Sequence, residues 1–175
     1  MTSSGPSPGA GMTSSGPGQH LFSGPTPSSA LVVTTSRGNT GSRTTQGSSG
    51  PGSGELDGNL HLVQSAMTWS ESRTFCRTYY TDLASISSDE EQSAIAALLF
   101  SHIPSNGFWF GLKRNRFWGN WYWSNGRVWG QYSFWGESEP SDPSSKLCGL
   151  LSGDPGRNFS WSSACCGADL PFVCY

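Results

Sequence analysis

"FWFGLKRNRFWGNWYWSNG", residues 108–126, holds two short aromatic and apolar runs, Phe108–Leu112 and Trp121–Trp123, on either side of a segment of Lys, Arg, Asn and Gly. Runs of this length, rich in aromatic residues and bounded by Gly, Asn and Ser, read as strands. The same signal returns at Phe172–Tyr175. Upstream the period is different. In Thr68-Trp69-Ser70-Glu71 the Thr can cap a helix while Glu71 reaches back to the cap amide, and Trp69, Phe75, Cys76 and Tyr79 then share one face. A second capping box, Ser88-Asp89-Glu90-Glu91, opens a helix that turns Ala94, Ile95, Leu98 and Leu99 inward and ends before Pro104. Between the helices, Asp82–Ile86 reads as a short connecting strand. Two helices followed by strands and long loops make an α+β arrangement.

Composition divides the chain. Residues 1–54 contain 39 Gly, Ser, Thr or Pro and no acid, cysteine or tryptophan, too little apolar surface to offset the entropy of ordering. Residues 1–55 are therefore expected to be a disordered stalk or linker, and the near-repeat of Met1–Pro6 at Met12–Pro17 fits a low-complexity tract. Residues 56–175 carry all eight tryptophans and all five cysteines, enough for one domain with one core.

Charge and cysteine content narrow the function classes. At a net charge of −2 and with no dense basic run, nucleic-acid binding has no support. No apolar stretch reaches the roughly 20 residues of a membrane span. Five cysteines in turn-rich sequence, without Cys-x-x-Cys or His-x-x-x-His spacing, read as disulfides and imply an oxidising compartment. The first residues lack a signal peptide's basic start and apolar stretch, so an extracellular location, secreted or as the ectodomain of a surface protein, is expected together with an incomplete N-terminus. His20, His61 and His102 are scattered without a nucleophile motif. Glu137 and Glu139, two residues of one loop, do not guarantee the opposed placement of a glycosidase pair. The chain is not expected to be an enzyme.

The order and spacing of "MTWSESRTFC", "DLASI", "FWFGL", "WYWSNG", Glu139-Pro140, Trp161 with Cys166 five residues on, and "PFVCY" resemble the C-type lectin-like domain over residues 60–175. The resemblance implies a double-loop fold of two helices and two small antiparallel sheets, with a long loop region that bears the ligand site. Trp109-Phe110-Gly111-Leu112 stands where the family has Trp-Ile-Gly-Leu. It also implies the bridges Cys76–Cys174 and Cys148–Cys166. Cys165 is left over, either as a buried or capped thiol or as a bridge to a partner or a second copy of the chain.

Sugar-binding members of the family hold calcium through carboxylates and amides at five places that fall here on Glu139, Ser141, Lys146, Ser162 and Ser163. Only Glu139 keeps its type. Lys146 puts an ammonium where a carboxylate would face a dication. No cofactor is expected, calcium included, with Glu139 as the residual metal candidate, flanked by Glu137 and Asp142. Two readings of those acids stay open: a rebuilt cation site, or solvated loop residues with Glu139 paired to Lys146. The family's proline bond at this place is often cis, and the isomer at Pro140 is not readable from sequence.

Trp109, Trp123, Trp135 and Trp161 stand where the resemblance implies buried aromatics, and are expected in the core. Trp118, Trp121 and Trp129, set among Arg114, Arg116 and Arg127, are divided between partial burial and a recognition surface, since exposed Trp with Arg is a composition of binding hot spots. Asn158-Phe159-Ser160 is a glycosylation sequon beside the altered Trp161-Ser162-Ser163 run. The expected function is calcium-independent recognition of a protein or glycan through the long-loop face. A carbohydrate-binding lectin with a weakened or rebuilt calcium site is the alternative, and a structural or ice-binding member a third class.

Overall fold

A computed structural model describes residues 32–35, 60–102, 106–142 and 144–175. In chain order the elements are β1 (Val32–Thr35), β2 (Leu60–Met67), α1 (Trp69–Tyr79), α2 (Asp89–Leu99), β3 (Phe108–Arg114), β4 (Trp121–Trp123), β5 (Cys148–Leu151), a single 3-10 turn (Pro155–Arg157), β6 (Trp161–Ala164) and β7 (Leu170–Cys174). The class is α+β, as the residues indicate.

Both halves of the α1 capping box form: Glu71 N donates to Thr68 Oγ1 and Thr68 N donates to Glu71 Oε2 at 3.1 Å. The buried face is Trp69, Ser72, Phe75 and Cys76. Tyr79, expected on that face, is instead exposed and rests its ring on Phe75 at 4.8 Å, because the stripe drifts outward by the last turn. At α2 only half of the expected box forms. Ser88 Oγ caps Glu91 N, but the Glu91 carboxylate accepts from Ser87 N and pairs with Arg127 at 2.9 Å. The carboxylate thus serves both the amide one residue before the cap and a distant guanidinium.

The strands are ordered β1-β2-β7-β3-β5-β6, with β4 hydrogen-bonded to β3. Where two separate antiparallel sheets are expected, the ladders join into one sheet through a parallel β3–β7 pairing at Trp109 and Phe172. Both of these residues are fully buried, so the junction lies in the core. Asp82–Ile86 is buried but makes only an isolated bridge, Leu83 to Cys174. Its backbone links β7 to β3: Ala84 N donates to Val173 O at 2.9 Å and Gly111 N to Ala84 O at 2.7 Å. A Cβ at Gly111 would lie 2.9 Å from Leu83 O, which is why the aromatic run is broken by glycine there.

Val32–Thr35 pairs antiparallel with Val63–Leu60, which departs from a wholly disordered 1–55 segment: two valines find an apolar edge on β2. The rest of that segment lies outside the described residues, as does Pro104. The disulfides are Cys76–Cys174, with Cα atoms 5.4 Å apart, and Cys148–Cys166, at 5.2 Å, both as the resemblance implies. Cys165 is a free, exposed thiol, so the buried alternative is excluded. No described helix is long and apolar enough to cross a membrane.

Candidate functional site at the long loop

The loop between β4 and β5 rests on a bed of indoles. Trp123 and Trp161 are buried, their rings meet edge to face at 5.8 Å, and Trp129, Tyr132 and Trp135 pack around Trp161. Trp161 Nε1 donates to Gln92 Oε1 at 2.9 Å, which ties the bed to α2. Trp121 packs on Trp135 at 4.9 Å and is half-buried, as is Trp129. Trp135, expected in the core, is also only half-buried and forms its outer layer. Of Trp118, Trp121 and Trp129, only Trp118 stands in solvent.

The backbone then carries the loop acid to β6. Trp161 N donates to Phe134 O at 2.7 Å, Gly136 N to Trp161 O at 2.8 Å and Glu139 N to Gly136 O at 3.1 Å, which seats Glu139 against Ser163. The Glu139–Pro140 bond is cis. Four donors surround the Glu139 carboxylate: Ser141 N at 2.8 Å, Ser141 Oγ at 2.9 Å, Ser163 N at 2.9 Å and Ser163 Oγ at 2.7 Å. Burial acts to raise its pKa, but the hydrogen bonds from Ser163 and Ser141 outweigh this and hold the carboxyl below its ordinary value. Lys146 Nζ donates to Ser141 Oγ at 3.0 Å. The expected Glu139–Lys146 pairing is therefore relayed through a hydroxyl rather than made directly.

Glu139, Ser141, Lys146 and Ser163 thus converge. The other candidates do not join them. The Asp142 carboxylate accepts from Ser144 and Ser145, and these bonds, with the Lys146 charge adding to them, draw its pKa down to about 2. Glu137 is exposed. Ser162 lies on the opposite face of β6 from Ser163, as alternation along a strand requires. Trp118 and Trp121 belong to the β3–β4 hairpin. Asn158 is exposed, in a left-handed turn with φ 50° after the 3-10 turn.

Arg127, expected among the arginines of a recognition surface, belongs instead to the scaffold. Its guanidinium meets both Glu91 oxygens, at 3.2 and 2.9 Å, and Asn125 beside it donates to Ser85 Oγ and Tyr175 Oη. Glu91, Asn125 and Arg127 hold the root of the loop on the body. The only local trace of this arrangement is an Arg beside Asn-Gly, and its partner lies 36 positions away.

For a divalent cation the donor set is a poor match. Calcium takes about six to eight oxygens, mostly anionic or carbonyl. Here one carboxylate is saturated by N–H and O–H donors, and an ammonium closes the same network. Among the described residues no group of three or more His, Cys, Asp or Glu is arranged to hold a metal ion.

The lectin C-type domain model matches residues 65–175. A snaclec subunit of Philodryas olfersii is 34% identical over 108 residues, 61% of this chain and 64% of its own length, so the chain spans less than two thirds of that relative. Among solved structures, a calcium-independent type II antifreeze protein matches with TM-score 0.57 and 26% identity, covering 66% of this chain and 83% of its own. The cow carbohydrate-recognition domain of CD23, solved in the presence of the oligosaccharide GlcNAc2Man3, matches with TM-score 0.56 and 27% identity, covering 66% and 84%.

Proposed function

We propose a function from the premise that this chain belongs to the C-type lectin domain family: it is an extracellular recognition module that binds a protein or glycan through the long-loop face without calcium. The observation that carries this reading is the closed network around Glu139. A carboxylate that already accepts from Ser141 and Ser163 has to give up those bonds to take a cation. Lys146, one hydroxyl away, adds repulsion rather than a ligand. The calcium-independent antifreeze relative supports the reading in kind, since its fold works without the ion.

The second reading is a carbohydrate-binding lectin with a rebuilt calcium site. It draws on the retained Glu139 and on the CD23 relative solved with an oligosaccharide. It needs Glu137 and Asp142 as further ligands, and both Asp142 oxygens already accept from Ser144 and Ser145. We assign a structural role to the disulfides, an N-glycan to Asn158 and, for Cys165, a bridge to a second copy or a capped thiol. Glycan-array binding with and without EDTA separates the two readings. Binding that EDTA leaves unchanged, or binding only to a protein ligand, supports the first. Glycan binding abolished by EDTA and restored by calcium overturns it.

A further inference from the structure

The turn between β3 and β4 presents two adjacent aromatic rings to water: Phe117 is 90% and Trp118 84% exposed. Hydrogen bonds within the turn fix the backbone that carries them. Asn115 Oδ1 accepts from Phe117 N at 2.8 Å and Trp118 N at 3.0 Å, Gly119 N donates to Asn115 O at 2.9 Å, and Arg114 Nε donates to Gly119 O at 2.7 Å. The rings are displayed by a turn that is already closed, so docking them costs little ordering.

Charge indicates what they dock on. From Gly107 to Gln131 the sequence has Lys113, Arg114, Arg116 and Arg127 and no acid, while the acids Glu137, Glu139 and Asp142 lie in the neighbouring loop. Lys113 sits over the Trp69 ring and Arg127 is paired with Glu91, whereas Arg116 is exposed beside the two rings and makes no ion pair among the described residues. Asn115 Oδ1 and the Arg114 Nε are engaged within the turn. What the tip offers is mainly ring surface, with the outward Arg116 guanidinium beside it. A glycan or a shaped protein pocket is read through directional groups, whereas an anionic bilayer surface asks only for aromatic rings at headgroup depth and a cation for phosphate.

We propose that the Arg114–Asn120 tip is an anchor for membrane surfaces rich in anionic phospholipid, with Phe117 and Trp118 entering the boundary between headgroups and acyl chains and Arg116 meeting lipid phosphate. It is distinct from the Glu139 network and takes no part in the calcium argument. The test is co-sedimentation of the full chain with phosphatidylcholine vesicles and with vesicles containing about 30% phosphatidylserine. The expected result is binding to the second set only, weakened by salt. The double variant F117S/W118S lowers the partition coefficient by roughly tenfold or more, and R116Q by about fivefold. Both leave the melting temperature unchanged, because the three side chains carry no packing. Absence of vesicle binding by the unmodified chain overturns the proposal, as does binding that the double variant retains. If vesicles are not bound but the double variant loses a protein or glycan ligand, the tip belongs to that ligand and the lipid assignment fails.

Discussion

Cys76 and Cys174 are bridged among Phe75, Leu83, Trp109 and Phe172, all buried. Glu139, seated on the edge strand of the same sheet, is surrounded by two hydroxyls, two amides and, one hydroxyl further, an ammonium. In the first region burial and a covalent link act together, and any apolar side chain of fitting volume serves. In the second the donors and acceptors are matched to one another, and a single change of type alters the chemistry. The fold thus carries a loop whose carboxylate is satisfied by its own serines.

The largest effect should come from the frame. Replacing Cys76 and Cys174 with Ala or Ser opens a loop with a sequence separation of 98, and should cost about 4 kcal/mol on the chain-entropy account. Chemical denaturation of the double variant checks this. A midpoint that does not move would place the stability of the frame in packing alone.

The next effect crosses from one region to the other. Writing S141N, K146E, S162N and S163D together restores oxygen ligands at the positions that resemble a calcium loop. On the present backbone this variant should gain about 2.7 kcal/mol from calcium at a hundredfold excess over its Kd, read as a rise in Tm. Ser162 tests the idea most severely, since it faces away from Ser163 and its replacement has to swing the strand edge.

A smaller effect belongs to Glu139 itself. Glu139→Gln keeps the shape but removes the charge from four hydrogen bonds, and in this half-exposed site should cost about 1–2 kcal/mol near neutral pH. The carboxyl's folded pKa is depressed below its ordinary value of 4.5, so its contribution is present above that value and lost as pH falls through the folded one. Unfolding midpoints measured from pH 7 downward should therefore fall less steeply for the variant than for the parent, and the two curves should converge in acid.

Much of the frame is legible in the sequence because its signals are local or covalent. The Thr68–Glu71 box, the Phe108–Leu112 run and the cysteine spacing each lie within a few residues or follow the family pattern. What escapes a sequence reading is set by distant partners. Glu91 reads as part of its own cap, yet Arg127 claims it from 36 positions away. Tyr79 continues the α1 stripe in register but not in burial, because the stripe has drifted outward by the last turn. Val32–Thr35 reads as part of a polar stalk, and only the edge of β2 gives it a partner. Around Glu139 the residue types are legible, Lys146 among them. The relay through Ser141 Oγ is not, since it depends on a hydroxyl rotamer and on the backbone link from Gly136 to Trp161.

Thermal unfolding of the unmodified domain with millimolar calcium, against the same domain in EDTA, tests calcium independence most directly. A network closed by its own donors leaves the ion nothing to bind, so the two melting temperatures should coincide, because a ligand without affinity for the native state cannot stabilise it. A calcium-dependent rise, reversed by EDTA, would contradict the account and assign Glu137, Glu139 and Asp142 as ligands of a rearranged loop.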